Sequence, residues 1–170
     1  MNNLPKILIT DVDGVFTSGK FTYTADGKVS KEFGPHDSDG IKIIRSLGIE
    51  VIAISADKRG FSITEKRMSD MGVELFLVSE SDRFSYIQDR YSHENIIFVG
   101  DGIFDAASLR HAKLSFAPAN APEFVKEYAN VVLSVSGGSG VFLEIALYLL
   151  RSSENAEQNI SNFLKKINLK

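Results

Sequence analysis

The 170-residue sequence predicts a three-layer α/β/α domain built on a mainly parallel sheet, and three observations point to it. Short apolar runs alternate with segments of helical periodicity along most of the chain. Those runs are continuously apolar rather than alternating with polar residues, the pattern of strands covered by helices on both faces. Gly48 and Gly72 stand where helix-like segments should stop before the next strand.

The elements follow in order. Ile7 to Thr10 forms the first strand, and Asp11-Val12-Asp13-Gly14-Val15 lies at its carboxyl end. Residues 17–34 break the alternation, because Phe21-Thr22-Tyr23-Thr24 and Lys28 to Phe33 are strand-like and flank the turn Ala25-Asp26-Gly27. They read as a β-hairpin that projects as a flap over the rim next to the acidic pentapeptide. Ile41, Ile44 and Leu47 mark a helix, Val51 to Ser55 a strand, and Ile63, Arg67 and Met71 a second helix. Leu75 to Val78 is the next strand, followed by helical spacing at Tyr86, Ile87 and Arg90. Ile96 to Gly100, Leu114 to Ala117 and the short run Val131 to Leu133 complete the sheet. Gly137-Gly138-Ser139-Gly140 reads as a mobile turn leading into the helix Val141 to Leu150. Ile160, Phe163, Leu164 and Ile167 recur at helical spacing near the end, so 152–170 is expected to be an amphipathic helix or tail, beside one domain at 1–151.

Composition bounds the function. A content of 44% hydrophobic and 24% charged residues suits one domain with a sizeable core. With no Cys, disulfides and thiolate metal sites are excluded, and a reducing cytoplasm is the expected location. The three His are widely spaced, which argues against zinc, and His93 and His111 are expected at the surface. No window approaches the roughly 20 apolar residues of a membrane span, and no leader pattern opens the chain. A net charge of -3 without a basic stripe argues against nucleic-acid binding. No G-x-S-x-G elbow is present, and the Gly137 loop lacks the Lys of a P-loop.

The acidic residues carry the chemistry. Asp11 and Asp13 follow one buried strand, and Asp101 and Asp105, in Gly100-Asp101-Gly102-Ile103-Phe104-Asp105, follow another. Asp and Gly also favour simple turns, so one cluster alone would decide nothing. Two clusters on the same rim of a parallel sheet, where ligands bind, favour catalysis. Aspartate can act as a covalent nucleophile on phosphorus, and Mg²⁺ is held by one or two carboxylates with water and phosphate. Asp11 and Asp101 suit that ligand pattern.

The motifs resemble those of the haloacid dehalogenase superfamily of phosphotransferases. Asp11-Val12-Asp13-Gly14-Val15 matches its first motif, DxDx[TV]; Ser55 matches the strand-terminal Ser or Thr of its second; and Gly100-Asp101-Gly102-Ile103-Phe104-Asp105 matches the GDxxxD pattern of its fourth. The hairpin, the lack of a large cap, the run Phe33-Gly34-Pro35-His36-Asp37-Ser38-Asp39-Gly40-Ile41-Lys42 and the late glycine loop look like the 3-deoxy-manno-octulosonate 8-phosphate phosphatase group, over roughly residues 5 to 150. The resemblance implies a Rossmann-like three-layer fold and a Mg²⁺-dependent phosphatase for a small phosphorylated sugar or sugar acid, in a bacterial-type lipopolysaccharide or capsule precursor pathway. Asp11 would be the nucleophile. Asp13 would be the general acid and base, with its backbone carbonyl on the cation. Ser55 and Ala56 would bind phosphate, and Asp101 would complete the protein ligands. Asp105 would stand behind them, although it reads equally well as an acid in the first turn of a helix.

The chain departs from that pattern in places. Arg83 stands where the family has Lys, keeping the charge but changing its geometry; it would join Ser55 and Ala56 in binding phosphate, the alternative being a surface Arg in Ser81-Asp82-Arg83. His36 and Leu143 stand where the octulosonate group usually shows Arg, which weakens the implication of a carboxylated substrate. His36, Asp37, Lys58 and Arg59, with Asp39 and Asp57, form a polar set for sugar hydroxyls or another head group, each of them otherwise a cap or solvated loop residue. A capless site is open to water, so a homotetramer is expected, in which hairpins and a neighbour's tail close the pocket. The rival readings are a phosphatase for a nonulosonate 9-phosphate, a heptose phosphate or a non-sugar phosphate, and a non-catalytic Mg²⁺-binding partner of a sugar nucleotidyltransferase. A phosphate-acceptor domain like a response regulator would leave the hairpin and the second acidic motif unexplained.

Overall fold

The computed structural model describes residues 4–152 and 155–168. Positions 153–154 and 169–170 of the expected tail lie outside the described residues. The elements run β1 (Ile7–Thr10), β2 (Thr17–Thr24), β3 (Gly27–Phe33), α1 (Asp37–Ser46), β4 (Glu50–Ser55), α2 (Phe61–Asp70), β5 (Glu74–Leu77), α3 (Arg83–Tyr91), β6 (Ile96–Val99), α4 (Ala106–His111), β7 (Leu114–Ala117), α5 (Glu123–Lys126), β8 (Val131–Val132), α6 (Val141–Ser152) and α7 (Ala156–Lys166). The short helices α4 and α5 had no separate signature in the sequence.

Six strands form one sheet in the order β5-β4-β1-β6-β7-β8. Every pairing in it is parallel. The chain starts in the middle at β1, builds outward through β4 and β5, then returns to the other side of β1 with β6. The strand order therefore reverses between β1 and β6, the place where an open α/β sheet forms its ligand crevice. β2 and β3 form the separate antiparallel hairpin expected at 17–34.

Successive strand residues point to opposite faces, and each face has its own core. Leu8, Val51, Ala53, Ile97 and Val99 pack on one side with α1 and α6. Ile9, Ile54, Ile96 and Phe98 pack on the other with Ile87 of α3 and Leu109 of α4. This two-sided burial is why the strands read as unbroken apolar runs. Gly48 and Gly72 take φ of 76° and 65° directly after α1 and α2 and so end them as expected.

α7 is helical over the expected stretch and has no fully buried residue. Ile160 and Phe163 rest partly buried against the first core. The glycine loop before α6 is tied down rather than free: Gly137 N–H donates to Asn120 (2.8 Å) and Gly138 N–H to the Val15 carbonyl (3.0 Å). Among the described residues no helix is long and apolar enough to cross a membrane.

Candidate active site

The reversal between β1 and β6 sets two acidic loops side by side. Asp11 extends the β1 ladder by donating its N–H to the Val99 carbonyl at the end of β6 (2.9 Å). The chain then turns sharply, with the Val12 carbonyl accepting from the amides of Val15 and Phe16. Gly14 sits in this turn at φ +97°, and a Cβ there would lie 2.0 Å from an Asp101 carboxylate oxygen. Glycine is required both by the backbone angle and by the approach of Asp101.

One carboxylate oxygen from each of Asp11, Asp101 and Asp105 lies within 4.8 Å of the other two. Arg83, at the first position of α3, is only 4% exposed and enters this cluster. It donates through Nη2 to Asp11 Oδ1 at 2.8 Å and through Nη1 to Asp105 Oδ1. Asp105 Oδ2 accepts the amides of Asp101 (3.1 Å) and Gly102 (2.9 Å). Asp105 is thus committed to organising the loop and holding Arg83.

The electrostatics follow from crowding. Burial pushes the Asp11 carboxyl well above its ordinary value, Asp105, Asp101 and Asp13 push it further, and Arg83 opposes them. Burial and the Asp105 carboxylate push Asp101 up to about 7. Burial works against the Arg83 charge, but Asp11 and Asp105 outweigh it and hold the guanidinium more firmly protonated than usual. Asp11 and Asp101, set close together and both reluctant to ionise, are a donor pair that fits a divalent cation, which would remove their mutual repulsion.

The cleft above the cluster measures about 560 Å³ and is lined by Asp13, Ser55, Ala56, Asp57, Lys28 and Phe21 among others. Ser55 is buried at the end of β4, and its Oγ accepts the Asp57 amide (3.1 Å). Asp13 is partly exposed and bonded to Lys31 Nζ at 2.7 Å. Asp57 receives Lys28 (2.5 Å) and Lys31 (2.8 Å). Burial tends to raise the Asp57 carboxyl, but the bonds from Lys28, Lys31 and the Gly60 amide prevail and hold it well below the usual carboxylate range.

Asp11, Asp13, Ser55, Ala56, Arg83, Asp101 and Asp105 therefore meet in one cleft. The proposed head-group residues do not all join them. Asp37 is buried beneath α6, where its Oδ1 accepts the Phe142 amide (3.1 Å). His36 takes a left-handed φ of 68° before α1 and lines a separate groove with Ser139, Gly140 and Leu143. Lys58 and Arg59 are exposed on the loop after Ala56, where Arg59 donates to the Tyr23 hydroxyl of the hairpin (2.9 Å).

Lys28 and Lys31 were missed in the sequence. Their signal was two lysines on a hairpin already placed over an acidic rim. His93, expected at the surface, is 1% exposed. Its ring lies between Gln88 (2.9 Å) and Ser108 (3.1 Å) and stacks on Phe84. These partners come from α3 and α4, which no local pattern could bring together.

Comparison with known proteins agrees with this geometry. Residues 83–145 match the family of haloacid dehalogenase-like hydrolases. The 3-deoxy-D-manno-octulosonate 8-phosphate phosphatase of Haemophilus influenzae is 32% identical over 169 residues, covering 95% of this chain and 93% of its own. The cobalt-bound structure of the Haemophilus influenzae phosphatase superposes with a TM-score of 0.78 at 31% identity, over 92% of this chain and 96% of that one. A probable YrbI family phosphatase from Pseudomonas syringae gives a TM-score of 0.82 at 31% identity, over 94% and 93% of the two chains. The chain is a phosphatase of the haloacid dehalogenase-like hydrolase family, in the branch that holds the octulosonate 8-phosphate phosphatases.

Proposed function

We propose that the protein is a Mg²⁺-dependent phosphomonoesterase that cleaves a small phosphorylated sugar or sugar acid through an aspartyl-phosphate. The observation that carries this reading is the buried Asp11, held by Arg83 with the Asp101 and Asp105 carboxylates within 4.8 Å. The relatives named for 3-deoxy-D-manno-octulosonate 8-phosphate make that compound the first substrate to try.

In this reading an Asp11 oxygen attacks phosphorus as the phosphorus–oxygen bond to the sugar breaks, and Asp13 gives a proton to the departing oxygen. Asp13 then takes a proton from water, whose oxygen attacks the aspartyl-phosphate and releases inorganic phosphate and the Asp11 carboxylate. Arg83 holds Asp11 in line and offsets charge on the phosphoryl group, while Ser55 and the Ala56 backbone bind its oxygens. Asp11, Asp101 and the Asp13 carbonyl would hold Mg²⁺, whose chemistry is to neutralise the charge that develops on the phosphoryl oxygens.

A second reading, a substrate whose sugar carries no carboxylate, such as a heptose phosphate, is favoured by the cations of the cleft. Lys28 and Arg83 line it, and both are already bonded to carboxylates. Phosphate release measured over a panel of sugar phosphates, with Mg²⁺ and with EDTA, decides between them. Asp11→Asn should abolish release on every substrate, and wild-type turnover by that variant would overturn the nucleophile.

The functional unit in this reading is a homotetramer in the cytoplasm, with 1–151 as the domain and the C-terminal helix as its tail. The exposed Phe21, Tyr23 and Val29 of the hairpin support assembly through the flap. A monomer by light scattering would remove the tetramer and leave the chemistry untouched.

A further inference from the structure

Lys31 is the one buried residue of the hairpin strand β3, and its side chain has no exposure at all. A buried ammonium persists only when its charge and its donors are satisfied. Here three acceptors surround it: Asp13 Oδ2 at 2.7 Å, Asp57 Oδ2 at 2.8 Å and Thr64 Oγ1 at 2.9 Å. An ammonium has three N–H donors, so none is left for a ligand. Lys31 therefore is not a phosphate- or sugar-binding lysine.

Its acceptors lie on three separate parts of the chain. Asp13 belongs to the loop after β1, Asp57 to the loop after β4, and Thr64 to α2. Asp13 has one oxygen held by Lys31 while the residue faces the cleft with 30% of its side chain exposed. The other oxygen remains for a proton. Lys28 reinforces the arrangement, bonding Asp57 and lying 4.0 Å from the Phe21 ring centroid.

We propose that Lys31 is a positioning residue for Asp13: it fixes the carboxylate for proton transfer to the leaving group and, through Thr64 and Asp57, pins the hairpin to the body in the same contact. Docking of the flap and alignment of the acid–base group are then one event. The inference rests on the phosphomonoesterase reading above.

The test compares two esters that differ in their need for an acid. An alkyl ester such as 3-deoxy-D-manno-octulosonate 8-phosphate has a poor leaving group and needs the Asp13 proton, whereas 4-nitrophenyl phosphate releases a stable phenolate and does not. The quantity read is kcat/KM, which reports the steps up to the first irreversible one, for wild type, Lys31→Met and Lys31→Arg. A misplaced acid should lower kcat/KM for the alkyl ester by about 10²-fold. The aryl ester should change by less than about threefold, and Lys31→Arg, which keeps a charged donor, should recover part of the alkyl activity.

An equal fall on both esters, or no fall on either, overturns the proposal and leaves the phosphatase reading standing. A wild-type protein that cleaves neither ester overturns both. Should Lys31→Met fail to fold, Lys31→Gln, which keeps a neutral donor, is read in the same way.

Discussion

Replacing Asp37 by Asn should stabilise the protein at neutral pH and have little effect in acid. Asp37 is 2% exposed and accepts the Phe142 amide at the start of α6. Burial lifts its carboxyl from 3.8 to about 6, with the Phe142 amide, Arg67 and His36 pulling the other way. Because the folded protein holds this proton more tightly than the unfolded chain, the group's contribution is fully present below about pH 3.8 and is lost as pH rises through about 6. At about 1.4 kcal/mol for each pH unit between those values, ionising Asp37 in the folded state costs about 3 kcal/mol by pH 7. Asn keeps the oxygen that accepts from Phe142 and has nothing to ionise. The stability difference between variant and wild type should therefore grow in favour of the variant by up to about 3 kcal/mol from pH 4 to pH 7. Urea unfolding at closely spaced pH values, with midpoints compared at unchanged slope, measures it. A difference that stays flat across that range, or shrinks as pH rises, refutes the argument.

Gly14→Ala places a methyl group 2.0 Å from an Asp101 oxygen at a backbone angle that disfavours any side chain. It should weaken Mg²⁺ binding by calorimetry at least tenfold, in the range of about 10- to 100-fold seen when supporting groups around a metal are lost. Arg83→Lys keeps the charge but cannot span Asp11 and Asp105 in the same way, so kcat should fall roughly tenfold while the fold persists by circular dichroism. Phe142 is fully buried and stacks on Phe16 with centroids 4.2 Å apart, so Phe142→Ala should lower unfolding stability by about 3–5 kcal/mol.

The parts of the molecule legible in the sequence are those that local pattern controls. Ile7–Thr10 and Ile96–Val99 are buried on both faces, so their apolar runs announced them, and the acids that follow had to leave the sheet at the same rim. The hairpin was equally plain, because alternating β-formers flanked a turn. What stayed hidden depends on docking between distant segments. Lys31 becomes buried only because β3 folds back onto Thr64, and His93 only because α3 and α4 close around it. His36 and Asp37 looked like rim residues because they follow the hairpin, yet α1 carries them toward α6 instead.

The register that sets Thr10 beside Val99 makes the separation of the strand ends that carry the two acidic loops a property of the main chain. Neighbouring strands stand about 4.8 Å apart wherever a sheet forms, so the spacing of the strand ends from which the Asp11 and Asp101 loops leave is inherited from polypeptide geometry. Flap, tail and outer loops can consequently vary while the strand ends beneath the two acidic loops keep their spacing.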